Sequence, residues 1–373
     1  MSGSEATLRV VSSDSHVVEP YDLWTRRLAG TPFESRAPYM SGDAKAGFQF
    51  HIDGLDPFPI GLAGAAGRPS ESLGPDGDMR SGGWDAAQRL VDMDADGIAA
   101  EVIYPSVGMS VAQSTERDYQ LACIRAYNDW LVDFCAGGEG RLVGLALIPA
   151  IDPDSAVAEL QRSHDAGLRG ALVPAVPSES HYAEARWDTL WAAFAERRSP
   201  VSFHVLTGGQ QGDPTLGSGL RVIALMSPIH HMQATLGLLT FGGVFDRHPE
   251  LRVVSAEHDA GWVAHYGYRM DQMFERHHNW LAAGVRIERQ PSDYLRDNVW
   301  YTFQKDPVAV ELRERIGVSQ LLWASDYPHS DSTWPHSRQV IERDFKGVSL
   351  EDTAAIVGGN AAALYRVEEW LKR

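Results

Sequence analysis

The chain has 373 residues and 44% hydrophobic content, enough to bury a large core, which excludes a disordered chain. Its 33 basic and 50 acidic residues give a net charge of −17, which disfavours nucleic acid and anionic membranes as partners. Four lysines (Lys45, Lys305, Lys346, Lys372) make no basic tract, and two cysteines (Cys123, Cys135) make no disulfide framework or zinc ribbon.

From the N-terminus, Met1 to Glu5 lacks the regions of a secretory signal, and no apolar run approaches a membrane span, so a cytoplasmic location is expected. Eight short runs rich in Val, Ile and Leu then follow: Leu8 to Ser13, Ala99 to Tyr104, Leu142 to Pro149, Gly170 to Val176, Val201 to Val205, Leu251 to Ala256, Val299 to Phe303 and Gln320 to Ser325. Helical spacing recurs between them, at Tyr119 to Phe134, Ser155 to Ala166, Trp187 to Glu196, Gly261 to Phe274 and Val308 to Ile316. Alternating strands and helices pair in parallel through crossovers, and eight such units predict an α/β fold, a (β/α)8 TIM barrel formed by a single domain over 1–373.

Two stretches exceed that plan. Residues 20–83 carry seven prolines and many glycines, which predicts an irregular insertion after the first strand, emerging on the active-site face and covering it. Residues 206–223, with Gly208-Gly209-Gln210-Gln211-Gly212, predict a second loop after the fifth strand. The tail, 349–371, reads as one or two closing helices with Asn360 as a candidate N-cap.

The polar residues that end these runs are the most informative. Asp14 and His16, two apart on an extended chain, leave the same face and reach one cation. His204 ends the fifth run, and Asp326 ends the eighth, where an unpaired carboxylate would be costly to desolvate. Two carboxylates and two imidazoles make a ligand set suited to one divalent ion, zinc or manganese. The fourth run contains neither Lys nor carboxylate to bridge a second ion.

His258 closes the sixth run and is the expected proton-handling group, with Asp326 as its catalytic partner. By strand alternation Glu257 should face the other way and pair with a helix residue. His230-His231 and His277-His278 fall in helical stretches and are expected to be exposed or capping. Tyr104 and Phe303 end strands and, with Trp24 and His329, are the candidate substrate contacts.

In this order the segments Asp14-Ser15-His16-Val17-Val18-Glu19-Pro20, Gly83-Trp84-Asp85, Arg89-Leu90-Val91-Asp92-Met93-Asp94, His204, Gly242 to Pro249, Glu257 to Trp262 and Ser325 to His329 resemble the amidohydrolase-related group. That group includes aminocarboxymuconate-semialdehyde decarboxylase, γ-resorcylate decarboxylase and 5-carboxyvanillate decarboxylase. The resemblance implies a barrel with Asp14, His16, His204 and Asp326 on one ion, His258 as the catalytic imidazole, and a homodimer. Asp14 stands where the first has His and the two aromatic acid decarboxylases have Glu, while Gly261 and Trp262 stand near where γ-resorcylate decarboxylase carries an acidic residue.

The function expected is nonoxidative decarboxylation of an aromatic or unsaturated carboxylic acid, a small acidic substrate, without an organic cofactor. The same ligands also permit hydrolysis of an amide, ester, lactone or carbon-carbon bond by metal-bound water, and a third reading is a barrel that binds a ligand without chemistry.

Overall fold

The computed structural model describes residues 8–43, 47–60, 63–67, 79–175, 180–205, 207, 226 and 228–372. Eight parallel strands lie in one sheet in chain order: Val10–His16, Ile98–Tyr104, Leu142–Leu147, Gly170–Leu172, Val201–His204, Val253–Ala256, Val299–Phe303 and Leu321–Trp323. Each is called here by its ordinal in this barrel. Each expected run overlaps one of them, six enclosing it whole, because strands buried on both faces are mostly apolar. The first and eighth strands meet through main-chain bonds at their carboxyl ends, where Asp326 N–H donates to Asp14 O at 2.9 Å and His16 N–H donates to Tyr327 O at 2.6 Å.

Alternation along the strands divides the core in two. Val11, Val102, Tyr104, Leu145, Val254 and Leu322 fill the inside of the barrel, and their neighbours in sequence pack outward beneath the helices. Those helices match the expected spacing: Arg117–Ala136, Pro153–Asp165, Asp188–Arg197, Val263–His277, and Pro307–Glu311 followed by Arg313–Ile316. Asp152 and Asp306 cap two of them through their carboxylates, each with proline at the first turn. Among the described residues no helix is long and apolar enough to cross a membrane.

The tail closes the lower end of the barrel, with Leu364, Tyr365 and Trp370 joining the inner cluster. Its helical path runs without a break from Leu350 through a π-turn at Ala355–Gly359 to Tyr365, capped by Ser349. Asn360 is therefore not an N-cap: it lies inside the helical run, and its amide donates to the Val318 and Leu321 carbonyls at 2.7 and 2.9 Å. Gly358 lets this segment lie directly on the Arg9 carbonyl, where a Cβ would collide with backbone.

Among its described residues, the stretch after the first strand holds regular structure that its prolines did not suggest. Tyr39–Asp43, Gly47–His51 and Phe58–Pro59 form a three-stranded antiparallel sheet, with Met40 opposite Phe50 and Phe50 opposite Phe58. Pro38 and Pro57 directly precede two of its strands, and Pro59 ends the third, on the edge of the sheet. This excursion is tied to the loop after the eighth strand by Ala66 N–H donating to Pro328 O at 2.9 Å and by the Arg80 guanidinium stacked over Trp334 at 3.7 Å. Of the expected loop 206–223, all but Thr207 lies outside the described residues.

Candidate metal centre

At the carboxyl end of the barrel the strand ends bring Asp14, His16, His204 and Asp326 together, each 1% exposed or less. The His16 Nε2 atom stands 3.5 Å from Asp14 Oδ1 and 3.4 Å from Asp326 Oδ1, and His204 Nε2 stands 3.6 Å from Asp14 Oδ1. Asp14 Oδ1, His16 Nε2, His204 Nε2 and Asp326 Oδ2 are all buried without a hydrogen bond. Orphaned polar atoms facing one another in a closed space are what a divalent cation satisfies, so these residues fit one.

Their far sides are fixed. The other ring nitrogen of His16 bonds to Pro105 O at 2.8 Å, and that of His204 to Val205 O at 3.0 Å, which puts the N–H outward and the free lone pair inward. The Thr302 hydroxyl donates to Asp14 Oδ2 at 2.8 Å, leaving Oδ1 to the site. Below them the inward ring of Tyr104 packs 5.9 Å from His16 and 5.1 Å from His204, and its hydroxyl bonds to Ser202 at 2.9 Å.

The charges follow from burial and proximity. Burial works to raise the Asp14 carboxyl, yet His204 and His16 hold it below the usual range. Burial and the nearby His329 push His16 down to about 3. Burial opposes protonation of His204, but Asp14 outweighs it and the imidazole is raised. Asp326 is held well above the ordinary carboxylate value by burial and then by Asp331 and Asp14.

Glu257 departs from the sequence expectation. It does not turn outward to a helix: its Oε2 stands 3.1 Å from His204 Nε2 and 3.8 Å from His16 Nε2. The cause is the backbone, since Glu257 has φ of 60°, in the left-handed region, and so leaves the two-residue alternation of its strand. Asp259 and Asp326 share this conformation, with φ of 55° and 58°. Three such residues around one pocket mark strain held in place by the surrounding contacts. The Glu257 N–H donates to Thr302 Oγ1 at 2.8 Å, so the same threonine that orients Asp14 holds this turn. The sequence signal was a carboxylate directly after an apolar strand, the same signal that singled out Asp326.

His258 is buried next to Glu257, and the charges of His204 and Asp14 both act on its ring. Its Nδ1 stands 3.3 Å from Ser255 Oγ, and burial followed by the charge of His204 lowers its pKa to about 3. His329 is at the site: its ring stacks on His16 at 4.0 Å, Nδ1 lies 2.9 Å from Asp326 Oδ1, and Nε2 bonds to Ser106 Oγ at 3.0 Å.

Beside the donors opens a cavity of about 350 Å³ lined by Asp14, Glu257, Asp259, Phe303, Gln304, Lys305, Asp326 and Asp331, among others. Phe303 thus lies where a substrate contact was expected. Tyr104 lies under the histidines instead, and Trp24 is in the core, its indole donating to Cys123 O at 3.0 Å and its ring 5.2 Å from Phe50. Among the described lining residues Lys305 is the one cation, its Nζ donating to Asp331 O at 2.7 Å. A larger cavity, about 810 Å³, is lined by residues such as Val18, Tyr21, Phe48 and Trp130 and contains none of the converging donors.

The motif Arg89 to Asp94 also finds its place. Arg89 is fully buried, with its Nε on Glu101 and its Nη1 on the carbonyls of His16 and Gly82 at 2.7 and 3.1 Å. Glu19 accepts from the N–H groups of Ser106, Val107 and Gly108 at 3.0, 3.1 and 2.9 Å, fixing the loop that presents Pro105 and Ser106.

Comparison with known proteins gives concordant results. The sequence model of the family described as amidohydrolase matches residues 16–367. A γ-resorcylate decarboxylase from Rhizobium sp. (strain MTP-10005) is 26% identical over 282 residues, 69% of this chain and 82% of that one. Among solved structures, an amidohydrolase from Mycobacterium avium subsp. paratuberculosis K-10 superposes with a TM-score of 0.75 at 24% identity, covering 96% of this chain and 98% of its own. The 5-carboxyvanillate decarboxylase from Novosphingobium aromaticivorans DSM 12444, complexed with manganese and 4-hydroxy-3-methoxy-5-nitrobenzoic acid, superposes at 0.66 and 18% identity, covering 100% and 98%. At these identities the two structures bear on the fold alone, and both share the barrel.

Proposed function

The chain belongs to the amidohydrolase family, and from that premise we propose that it is a metal-dependent nonoxidative decarboxylase of an aromatic or unsaturated carboxylic acid. The observation that carries this reading is the convergence of buried, unpartnered donor atoms from Asp14, His16, His204 and Asp326 beside an open cavity. The relative that is a γ-resorcylate decarboxylase supports the reaction class, and the manganese in the carboxyvanillate enzyme supports the choice of manganese or zinc.

Asp14, His16, His204 and Asp326 would hold the ion. When bound, it supplies positive charge to fix the substrate carboxylate and an adjacent oxygen. The protein's own groups do the rest. Phe303 offers an apolar face for the ring, and Lys305 at the rim attracts the acid into an otherwise anionic pocket. Asp326, which lines the pocket beside the donors, is the group placed to pass a proton to the ring carbon. The carbon-carbon bond to the carboxylate then breaks, its electron pair stays on the ring, and carbon dioxide leaves. His258, its Nδ1 3.3 Å from Ser255 Oγ, is the second candidate for the proton source.

The test is a panel of carboxylated phenols incubated with the metal-loaded protein in ¹⁸O-labelled or deuterated water. Decarboxylation releases carbon dioxide and places deuterium on carbon. Label from ¹⁸O water in the product would instead establish hydrolysis, and metal occupancy below about one-tenth after supplementation would favour a barrel that only binds. The stretch 20–83 is read as a cover over this face, supported by its ties to the loop after the eighth strand. A homodimer and a cytoplasmic setting complete the proposal, the latter supported by Cys123 and Cys135, both unpaired thiols.

A further inference from the structure

We infer that Glu257 is a fifth protein ligand of the ion, making a set of three carboxylates and two imidazoles that holds manganese in preference to zinc. The inference rests on the reading of this site as a metal centre and goes beyond it in naming a ligand that neither the sequence pattern nor the resemblance indicated.

The donor atoms fall into two overlapping groups, Asp14, His16 and His204 in one, and His16, Glu257, Asp326 and His329 in the other, with all atoms of a group within 4.8 Å of one another. His16 is in both. Because its Nδ1 is engaged with Pro105 O, only Nε2 remains, and one lone pair binds one ion. The two groups therefore describe one ion position, not two.

His329 drops out of the set, since its nitrogens face Asp326 and Ser106. Glu257 does not drop out. Its Oε2 is 3.1 Å from His204 Nε2 and 3.8 Å from His16 Nε2, in line with the 3.4 to 3.6 Å that separate the other donors. Adjacent ligands at metal bonds of roughly 2.1 Å stand about 3 Å apart, so these separations suit a shared ion. The left-handed turn at Glu257, anchored through Thr302 to Asp14, directs the carboxylate here at a conformational cost that an outward-facing surface residue would have no reason to bear. The Asp14, Asp326 and Glu257 carboxyl groups converge on His16, and a cation bound among them would offset their mutual repulsion. Five donors exceed the tetrahedral set that zinc favours, and oxygen-rich sets suit manganese.

The test uses the full chain, stripped of metal, titrated with manganese and separately with zinc. Free manganese is followed by its paramagnetic resonance signal and zinc by competition with a chelating dye. Wild type, Glu257→Gln, Glu257→Ala and His258→Ala are compared without substrate. The expected result is one manganese per wild-type chain, a Kd about tenfold or more higher in Glu257→Ala, an intermediate value in Glu257→Gln, a smaller change for zinc, and wild-type manganese affinity within about twofold in His258→Ala. Circular dichroism of the metal-free variants shows whether each is folded; if the alanine variant is not, the isosteric glutamine variant decides. Manganese affinity within about twofold of wild type in folded Glu257 variants would overturn the inference, and so would a larger loss in His258→Ala. Because no substrate is present, a failure to decarboxylate leaves this result untouched, whereas wild type that binds neither ion sinks the metal reading itself.

Discussion

The guanidinium of Arg89 donates to the main-chain carbonyl of His16 at 2.7 Å, and the same side chain pairs with buried Glu101. A fully buried arginine thereby fixes the end of the strand that carries two ligands and, through Gly82 O, the segment beside it. Replacing it by methionine leaves Glu101 charged and unpaired, so Arg89→Met is expected to lose about 3–5 kcal/mol of stability, and Arg89→Met with Glu101→Gln to lose less than the sum of the single changes. Denaturant unfolding of the four proteins gives the coupling. Additivity would mean that the pair is not an energetic unit.

Removing ligands should remove the ion. His204→Ala and Asp14→Asn are expected to lower manganese occupancy and to reduce carbon dioxide release by at least about a hundredfold, with the fold retained in circular dichroism. Chelation of wild type should have the same effect, reversed by added manganese or zinc. Activity that survives both treatments would separate the chemistry from these donors.

Lys305 provides the one positive charge among the described residues lining an acidic pocket. Lys305→Ala is expected to raise KM for carboxylated substrates about five- to fiftyfold while changing kcat little, and the effect should shrink as salt is raised. Steady-state rates at two ionic strengths check it. A fall in kcat at constant KM would place Lys305 in the chemistry rather than in capture.

The pH dependence of stability carries a mark of His258. Its ordinary value is 6.5 and burial lowers it to about 3 in the fold, so on acidification the unfolded chain takes up a proton that the folded chain refuses. Stability contributed by the neutral ring is therefore present above pH 6.5 and is lost as pH falls toward 3. In metal-free protein, unfolding free energy measured from pH 6.5 to 4.5 should fall less steeply in His258→Gln than in wild type, by up to about 1.4 kcal/mol per pH unit. Parallel slopes would place the imidazole in solvent.

Close approach of backbone gives a packing test. A Cβ on Gly83 would stand 2.8 and 2.9 Å from the Val18 side chain and 3.2 Å from its N, just where Val18 N–H donates to Gly83 O at 2.9 Å. Gly83→Ala is expected to cost about 1–3 kcal/mol, while Gly30→Ala, with open space but φ of 76°, should cost about 1 kcal/mol through its backbone alone. Thermal unfolding of the two variants orders them.

The barrel and most of its ligands were legible in the amino-acid order because both leave local marks. Apolar runs such as Val253 to Ala256 must be strands when buried on both faces, and a carboxylate or imidazole at the end of such a run, as in Asp14, His16, His204 and Asp326, has no inexpensive place except around a cation. What alternation could not give was any side chain whose backbone leaves the strand. Glu257 was assigned outward, and the left-handed turn there brings its carboxylate to the histidines. Trp24 and Tyr104 were misplaced for a related reason, since an aromatic ring carries the same local signal in a core as in a pocket, and only packing against Phe50 or beneath His16 and His204 separates the two. Residues such as Arg89 and Thr302 act through atoms of distant strands. Their partners, the His16 carbonyl and the Asp14 carboxylate, lie 73 and 288 positions away, and closure of the barrel alone sets those contacts.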